Sequence, residues 1–120
     1  MTVPEFEELV EDALSNLPPY FVDRLENVEV VIDRAPTPRQ RHRLHEGGLL
    51  LGLYEGVPLT ERGINYHLAM PDRITLFQDA IECVCHSPEE IRQEVRHTVM
   101  HEIAHFFGIS DERLIELGAY

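Results

Sequence analysis

The sequence predicts a small protein made of α-helices and a small β-sheet, and three observations lead to this fold class. Apolar residues recur at helical spacing near the amino terminus and again over residues 91–106. Three short segments between these regions are rich in β-branched and large apolar residues, which are typical of strands. Stretches that contain proline and glycine separate the segments, so we expect a sheet of few, short strands.

The first predicted element is an amphipathic helix that follows Pro4. Its apolar positions recur every three or four residues and are Phe6, Leu9, Val10, Ala13, Leu14 and Leu17. We expect the helix to end at the Pro18-Pro19 pair, because proline lacks the amide hydrogen that continues a helix. The acidic face of the helix is expected to point to solvent.

Three strands are predicted in the central part of the chain. They comprise residues 28–32 (VEVVI), 49–54 (LLLGLY) and 73–78 (RITLFQ). Residues 33–48 contain two prolines, two glycines and no apolar period, so we predict irregular chain there. Prolines and glycines within residues 55–72 favour turns between the second and third strands.

Length and charge restrict the classes of function. With 120 residues, the chain is expected to form a single domain spanning residues 1–120. Its apolar runs are shorter than the roughly 18 to 20 residues of a membrane span, and its opening segment is acidic, so we expect a cytoplasmic protein without a membrane anchor. Ten basic residues against 22 acidic ones give a net charge of -12, which disfavours nucleic acid as a partner.

The chain has two cysteines, Cys83 and Cys85, in a Cys-Val-Cys arrangement. This spacing is too tight for an easy disulfide, and a cysteine-rich zinc site would need a second pair. A ligand cluster of Cys83, Cys85 and His86 is one interpretation. Free thiols in a short β-like segment are the preferred interpretation, because such segments often carry small buried cysteines.

A long helix is predicted from residue 87 to residue 108. Ser87 is a suitable cap, Pro88 fits the first helical position, and Glu90 fits a capping box with Ser87. The apolar residues that keep helical spacing are Ile91, Val95, Val99, Ile103 and Phe106. Gly108 can end this helix in a left-handed conformation. A short terminal helix is predicted over residues 111–117.

The end of the long helix carries the predicted chemistry. Residues four apart project to nearly the same side of a helix, so His101 and His105 can present two imidazole nitrogens to one metal ion. Glu102 follows the first of them, in the HExxH arrangement in which a carboxylate activates a zinc-bound water. We therefore expect one zinc ion per chain, with Glu102 as the general base of peptide-bond hydrolysis.

A third zinc ligand is expected where the helix stops. Catalytic zinc commonly has three protein ligands and one open position. A turn at Gly108 could bring the Asp111 carboxylate to the metal, so we predict Asp111 as this ligand. Capping of the last helix by Ser110 or Asp111 is a second role for these residues. Glu112, Glu116 and water are the other candidates for the third position.

These segments resemble the short bacterial zincin-like metallopeptidases, also called minimal zincins. The resemblance rests on HEIAHFFGISD at residues 101–111, LGLYEGVPLTER at residues 51–62 and PDRITLF at residues 71–77. It implies an α+β fold in which a small mixed β-sheet packs on an N-terminal helix and on the HExxH helix. It also implies that Asp111, at the end of the HExxHxxGxxD pattern, is a zinc ligand.

Several other residues have two interpretations. Either the second or the third predicted strand could hold an extended peptide along its edge, and the pattern does not choose between them. Tyr54, Tyr66 and Tyr120 could donate to an oxyanion, but core packing or a half-exposed position is preferred for each. His97 lies one turn before His101, too far along the helix to share one ion easily, so we expect it beside the site or on the surface.

The basic residues of the chain are concentrated in residues 34–45. They are Arg34, Arg39, Arg41, His42, Arg43 and His45. This stretch could select acidic peptides or a carboxy terminus. A solvated loop whose charges offset the acidic surface is the preferred interpretation.

The sequence supports three functions to different degrees. A zinc-dependent metallopeptidase acting on peptides or exposed protein segments is the leading hypothesis. A non-catalytic, zinc-stabilised binding module is the first alternative, because a short chain with a thin sheet offers little room for a deep cleft. A metal-dependent endoribonuclease is the second, and both Glu102 and the net charge of -12 argue against it. The sequence does not predict the oligomeric state.

Overall fold

The computed structural model describes residues 1–25, 28–41, 50–56 and 72–116. Six helices and three strands lie within these ranges. They are α1 (Val3–Ser15), α2 (Pro19–Val22), β1 (Val28–Asp33), α3 (Pro38–Arg41), β2 (Gly52–Glu55), β3 (Asp72–Phe77), α4 (Gln78–Val84), α5 (Pro88–Phe106) and α6 (Asp111–Glu116). The predicted strand residue Leu49, the turn residues 57–71 and the helix residue Leu117 lie outside the described ranges, as do His42, Arg43, His45, Tyr66 and Tyr120.

The strands form one mixed sheet in the order β1-β3-β2. β1 runs parallel to β3, with Val30 opposite Ile74. β2 runs antiparallel to β3, with Tyr54 opposite Ile74 on the other side. Helices together with this small mixed sheet confirm the predicted α+β class, and β3 is the central strand.

An apolar core lies between α1, α5 and the sheet. Its buried residues are Phe6, Val10, Ala13, Leu17, Ile74, Leu76, Ile81, Val95, Val99 and Ile103. In β3, Ile74 and Leu76 are two residues apart and therefore share the face that the helices cover. The apolar positions predicted for α1 and α5 thus face the core. Within the described part of the chain, no helix has the length and apolar character needed to span a membrane.

Polar contacts fix α1 at its start and against α5. The Thr2 hydroxyl accepts from the Glu5 amide at 3.2 Å, and the Glu5 carboxylate accepts from the Thr2 amide at 3.2 Å, which makes a capping box. Asp12 Oδ2 accepts two hydrogen bonds from the Arg96 guanidinium on α5, at 2.8 and 3.1 Å. These bonds hold the pKa of Asp12 below its usual value.

Cys83 lies in helix α4, which corrects the prediction of a β-like segment at this residue, whereas Cys85 directly follows the helix with an extended backbone. The chain passes directly from β3 into α4, so Gln78 is a helix residue and not the last residue of a strand. The sequence did not predict this helix because its seven residues are too few to show a helical period. Its buried apolar residues, Ala80 and Ile81, are adjacent. Cys83 and Cys85 are free thiols, as predicted, but Cys83 is exposed rather than buried.

Two helix starts also differ from prediction. Pro38–Arg41 forms a helical turn inside the stretch predicted to be irregular, and the Thr37 hydroxyl accepts a backbone hydrogen bond at its start. At the start of α5, the Ser87 hydroxyl accepts from the Glu90 amide at 3.1 Å, as predicted for a cap. The Glu90 carboxylate accepts from the amide of His86 rather than from that of Ser87, so the predicted capping box is incomplete.

Candidate metal centre

Helix α5 carries the predicted site beside its buried stripe. Val95, Val99 and Ile103 face the core, which orients the rest of the helix. His101 and His105 lie one turn apart and are half-buried, and the centroids of their rings are 4.6 Å apart. The spacing of four residues therefore brings the two imidazoles together, as expected for an α-helix.

His101, Glu102 and His105 form one cluster of ligand atoms. One such atom from each residue lies within 4.8 Å of the other two. Asp111 adds a further carboxylate beside this group, and elsewhere in the part of the chain that the structure describes no three histidine, cysteine or carboxylate side chains come close enough to hold a metal ion. This argues against the alternative cluster of Cys83, Cys85 and His86.

Asp111 reaches both histidines from the start of α6. Helix α5 ends at Phe106, and Gly108 adopts a left-handed φ of 79°, the conformation predicted for it. The chain turns back there, and Asp111 Oδ1 lies 2.7 Å from His105 Nε2 and 3.0 Å from His101 Nε2. Two imidazole nitrogens thus face a single carboxylate oxygen.

Ser110 caps α6, which leaves the Asp111 carboxylate to the histidines. The Ser110 hydroxyl accepts from the amide of Arg113 at 3.2 Å. Glu116, another candidate for the third ligand, instead accepts from the Arg113 guanidinium at 2.9 Å. Glu112 is exposed. The local geometry therefore favours Asp111 over the other two carboxylates.

Glu102 is buried between α5 and β2, with 6% of its surface exposed. Its Oε1 accepts a hydrogen bond from the Tyr54 amide at 2.8 Å and lies 3.3 Å from His105 Nδ1. A buried carboxylate needs such donors, because an unpaired charge is costly away from water. The contact with Tyr54 joins residues 48 positions apart, and no pattern in the sequence signals it.

The neighbouring carboxylates favour the protonated form of His105. The hydrogen bond with Glu102 is the largest cause, and with that of Asp111 it outweighs burial and raises the pKa of His105 to about 9. Burial alone would raise the pKa of Asp111, but the hydrogen bond from His105 and the charges of both histidines hold it below its usual value. In the metal-free protein His105 is therefore protonated at neutral pH, and a metal ion must displace that proton to bind.

The donor set fits zinc. Zinc is bound in proteins by imidazole nitrogens and carboxylate oxygens, and catalytic sites commonly use three protein ligands. His101 and His105 supply the nitrogens, and Asp111 supplies an oxygen at hydrogen-bond distance from both of them. A second carboxylate, that of Glu102, lies in the same cluster.

Tyr54 is held at its backbone and at its hydroxyl. The hydroxyl donates to the buried Asp72 at 2.7 Å, and the ring packs edge-on against Phe106 on α5. These contacts agree with the packing role preferred for Tyr54 in the sequence. β3 is the central strand of the described sheet, so of the two strands considered for peptide binding only β2, beside α5, is an outer strand.

His97 and the basic stretch lie apart from the cluster. His97 is exposed, and its ring centroid is 6.2 Å from that of His101. Arg34 is exposed and forms an ion pair with Asp79 at 3.6 Å. Arg39 and Arg41 are exposed on α3, in agreement with a solvated stretch.

Known proteins resemble this chain over most of its length. The zincin-like metallopeptidase family matches residues 25–119. No curated protein matches the chain. A conserved hypothetical protein from T. thermophilus has a similar structure, with a TM-score of 0.59 and 28% sequence identity over 89% of this chain and 94% of that chain. The matched residues include all three strands of the sheet and the whole of helix α5, which carries His101 and His105. The chain therefore belongs to the zincin-like metallopeptidase family.

Proposed function

We propose that this protein is a zinc-dependent metallopeptidase that hydrolyses peptide bonds in peptides or exposed protein segments. One observation carries the proposal. The imidazoles of His101 and His105 face Asp111 Oδ1 at 3.0 and 2.7 Å, and the Glu102 carboxylate lies in the same cluster. His101, His105 and Asp111 are the proposed ligands of one zinc ion per chain, and Glu102 is the proposed general base.

The roles of the side chains follow from their positions. Zinc, when bound, supplies a Lewis acid that lowers the pKa of water and polarises the peptide carbonyl. Glu102 is suited to take a proton from the attacking water and to deliver it to the leaving amine. In the metal-free protein, Glu102 and Asp111 contact opposite nitrogens of His105, and these two contacts fix the orientation of its ring before the metal binds.

The position of β2 supports an extended peptide as the substrate. β2 is an outer strand of the described sheet and lies against α5, beside Glu102. An outer strand can pair with the backbone of an extended peptide, and for β2 this pairing is proposed beside the Tyr54 amide and not at it, because Glu102 already accepts from that amide. Binding of an exposed protein segment in this way is compatible with a small domain.

The proposed zinc ligands also help to distinguish the metallopeptidase from the zinc-stabilised binding module. Structural zinc sites are closed by four protein ligands, most of them cysteine or histidine. The proposed ligands here include no cysteine and number three, and a buried carboxylate lies next to them, which favours catalysis over a zinc-stabilised binding module. The net charge of -12 disfavours the endoribonuclease, since RNA binding depends on basic surfaces.

Metal content is the first test. We expect about one zinc per wild-type chain by elemental analysis, on protein purified without a histidine tag and supplied with zinc. His101→Ala should lose the metal, whereas His97→Ala, which changes an exposed histidine on the same helix, should keep it. Absence of zinc from the wild type would overturn the proposal.

Cleavage is the second test. Glu102→Gln keeps a side chain of the same size but removes the proton acceptor, so we expect it to retain zinc and to lose cleavage of a peptide library by at least a hundredfold. A zinc-loaded wild type that cleaves no peptide would instead support the binding module.

A further inference from the structure

The backbone amides of β2 point alternately towards β3 and away from it. The Phe77 amide donates to the Leu51 carbonyl at 3.0 Å, and in an antiparallel pair every second residue faces the partner strand. Leu53 and Glu55 therefore pair with β3. The amides of Gly52 and Tyr54 point the other way, and the bond from the Tyr54 amide to Glu102 Oε1 at 2.8 Å shows that this side faces α5.

Gly52 is the residue that permits this close approach. A Cβ atom at Gly52 would lie 2.6 Å from Thr98 Cγ2 and 3.3 Å from Glu102 Cγ. The described glycines with positive φ are Gly56 and Gly108, so Gly52 is needed for space and not for an unusual backbone conformation. Thr98 is itself buried and cannot swing into solvent without leaving its place in the core.

We propose that Gly52 is a positioning residue for Glu102, and this inference rests on the proposed role of Glu102 as the base. With no side chain at position 52, β2 comes close enough to α5 for the Tyr54 amide to hold one oxygen of the Glu102 carboxylate. A base that is held in one rotamer reacts without the cost of being ordered at each turnover. Thr98 sets the spacing, because its methyl group lies where a residue-52 side chain would go.

The chain offers a matched set of variants for the test. Gly52→Ala introduces the Cβ, and Thr98→Ser removes the Cγ2 atom that this Cβ would meet first. The double variant Gly52→Ala/Thr98→Ser should therefore regain much of what the single variant loses. Thr98→Ser alone controls for the lost methyl group, and Glu102→Ala shows the effect of removing the acceptor outright.

Amide hydrogen exchange measures the contact without any need for activity. In the metal-free full-length protein, we expect exchange at the Tyr54 amide to become about tenfold faster in Gly52→Ala and in Glu102→Ala, and to return towards the wild-type rate in the double variant. The amides of Leu53 and Glu55 should keep their rates, because they face β3. An unchanged Tyr54 rate in Gly52→Ala would overturn the proposal, and so would faster exchange at all three amides, which would mean that the whole strand had come loose.

Kinetics on a cleaved library peptide then test the consequence for the base. We expect kcat of Gly52→Ala to fall at least tenfold with KM nearly unchanged, and the double variant to recover. A raised KM with normal kcat would overturn the positioning role, since it would show that residue 52 acts on peptide binding.

The outcomes separate failure of this inference from failure of the proposed function. If the zinc-loaded wild type cleaves no peptide, the proposed function fails, while the exchange rates still report whether Gly52 sets the Tyr54–Glu102 contact. If Gly52→Ala does not fold, the folded double variant replaces it. If the Tyr54 amide of the double variant exchanges at the wild-type rate, Thr98 Cγ2 is supported as the limiting contact. If that amide exchanges about tenfold faster, the proposal that Thr98 Cγ2 sets the spacing is overturned.

Discussion

Asp111 Oδ1 is shared by two imidazoles, so a single substitution at this residue tests the third ligand. Asp111→Asn keeps the size of the side chain but removes its charge, and we expect the affinity for zinc to fall at least a hundredfold in competition with a chelator. The metal-free protein should stay folded with α6 still capped by Ser110, and it should lose part of its stability at neutral pH, because Asp111 pairs with protonated His105.

Glu112→Gln is the matched control for Asp111→Asn, since it removes the charge of the adjacent, exposed carboxylate. This variant should bind zinc as the wild type does. Equal losses of affinity in the two variants would show that Asp111 acts only through the general charge of α6.

The proton on His105 makes the stability of the metal-free protein depend on pH. The pKa of His105 is raised from 6.5 to about 9, so the folded state holds this proton more tightly than the unfolded chain. Its contribution is fully present below about pH 6.5, the usual histidine pKa, and is lost as the pH rises through about 9. We expect the free energy of unfolding, measured with urea, to decrease as the pH is raised from about 6.5 to about 9.

His105→Gln should remove most of this decrease, whereas His97→Gln, at an exposed position outside the cluster, should retain it. If the His105→Gln variant loses stability over the same pH range as the wild type does, another group carries the dependence.

The site residues differ in how far the sequence could predict them. His101, Glu102 and His105 are close in sequence, and the helical period alone places them together. The position of Asp111 near the histidines could also be predicted, because it requires only a turn after the helix and Gly108 is a typical residue for such a turn. The Tyr54 amide is a backbone group on another element, 48 positions from Glu102, and the space at Gly52 exists only once α5 and β2 are packed. Such contacts leave no local pattern.

At the scale of elements, α1 stabilises the helix that carries the site. Phe6 is completely buried in the core that also contains Val99 and Ile103 of α5. We expect Phe6→Ala to lower the free energy of unfolding by about 3–5 kcal/mol, because it leaves a cavity as well as losing apolar contact. Chemical denaturation measures this change, and Glu8→Ala, at an exposed position on the same helix, should change it little. A loss below about 1 kcal/mol at Phe6 would contradict the packing of α1 on α5.

The elements were predictable where the pattern is long. The apolar stripes of α1 and α5 repeat over several turns, and both helices lie where the sequence predicts them. Helix α4 has seven residues and follows β3 without a turn, so the local sequence offers no signal of the change from strand to helix. The start of α1 could have been predicted more closely, because Thr2 and Glu5 have the spacing of a capping box.

For the whole molecule, the candidate metal centre depends on the fold because α5 carries the histidines and Glu102, α6 carries Asp111, and β2 holds Glu102 through the Tyr54 amide. His101 and His105 are set by one helix, but Asp111 joins them only when the chain turns back after Phe106, and Glu102 is held only when the sheet has formed. An unfolded chain does not present this set of atoms together. Zinc should therefore bind the folded protein far better than the unfolded chain, and binding should stabilise the fold.

We expect zinc at a free concentration one hundred times its Kd to raise the free energy of unfolding by about 2.7 kcal/mol, with a matching rise in Tm by calorimetry. His97→Ala should keep this rise, and His101→Ala should abolish it, although each variant loses one histidine from the same helix. Because zinc must displace the proton of His105, the rise at one fixed free zinc concentration should be smaller at lower pH, where a higher proton concentration competes for that nitrogen. An equal rise in His101→Ala would place the stabilising zinc elsewhere on this acidic protein and would separate metal binding from the histidine helix.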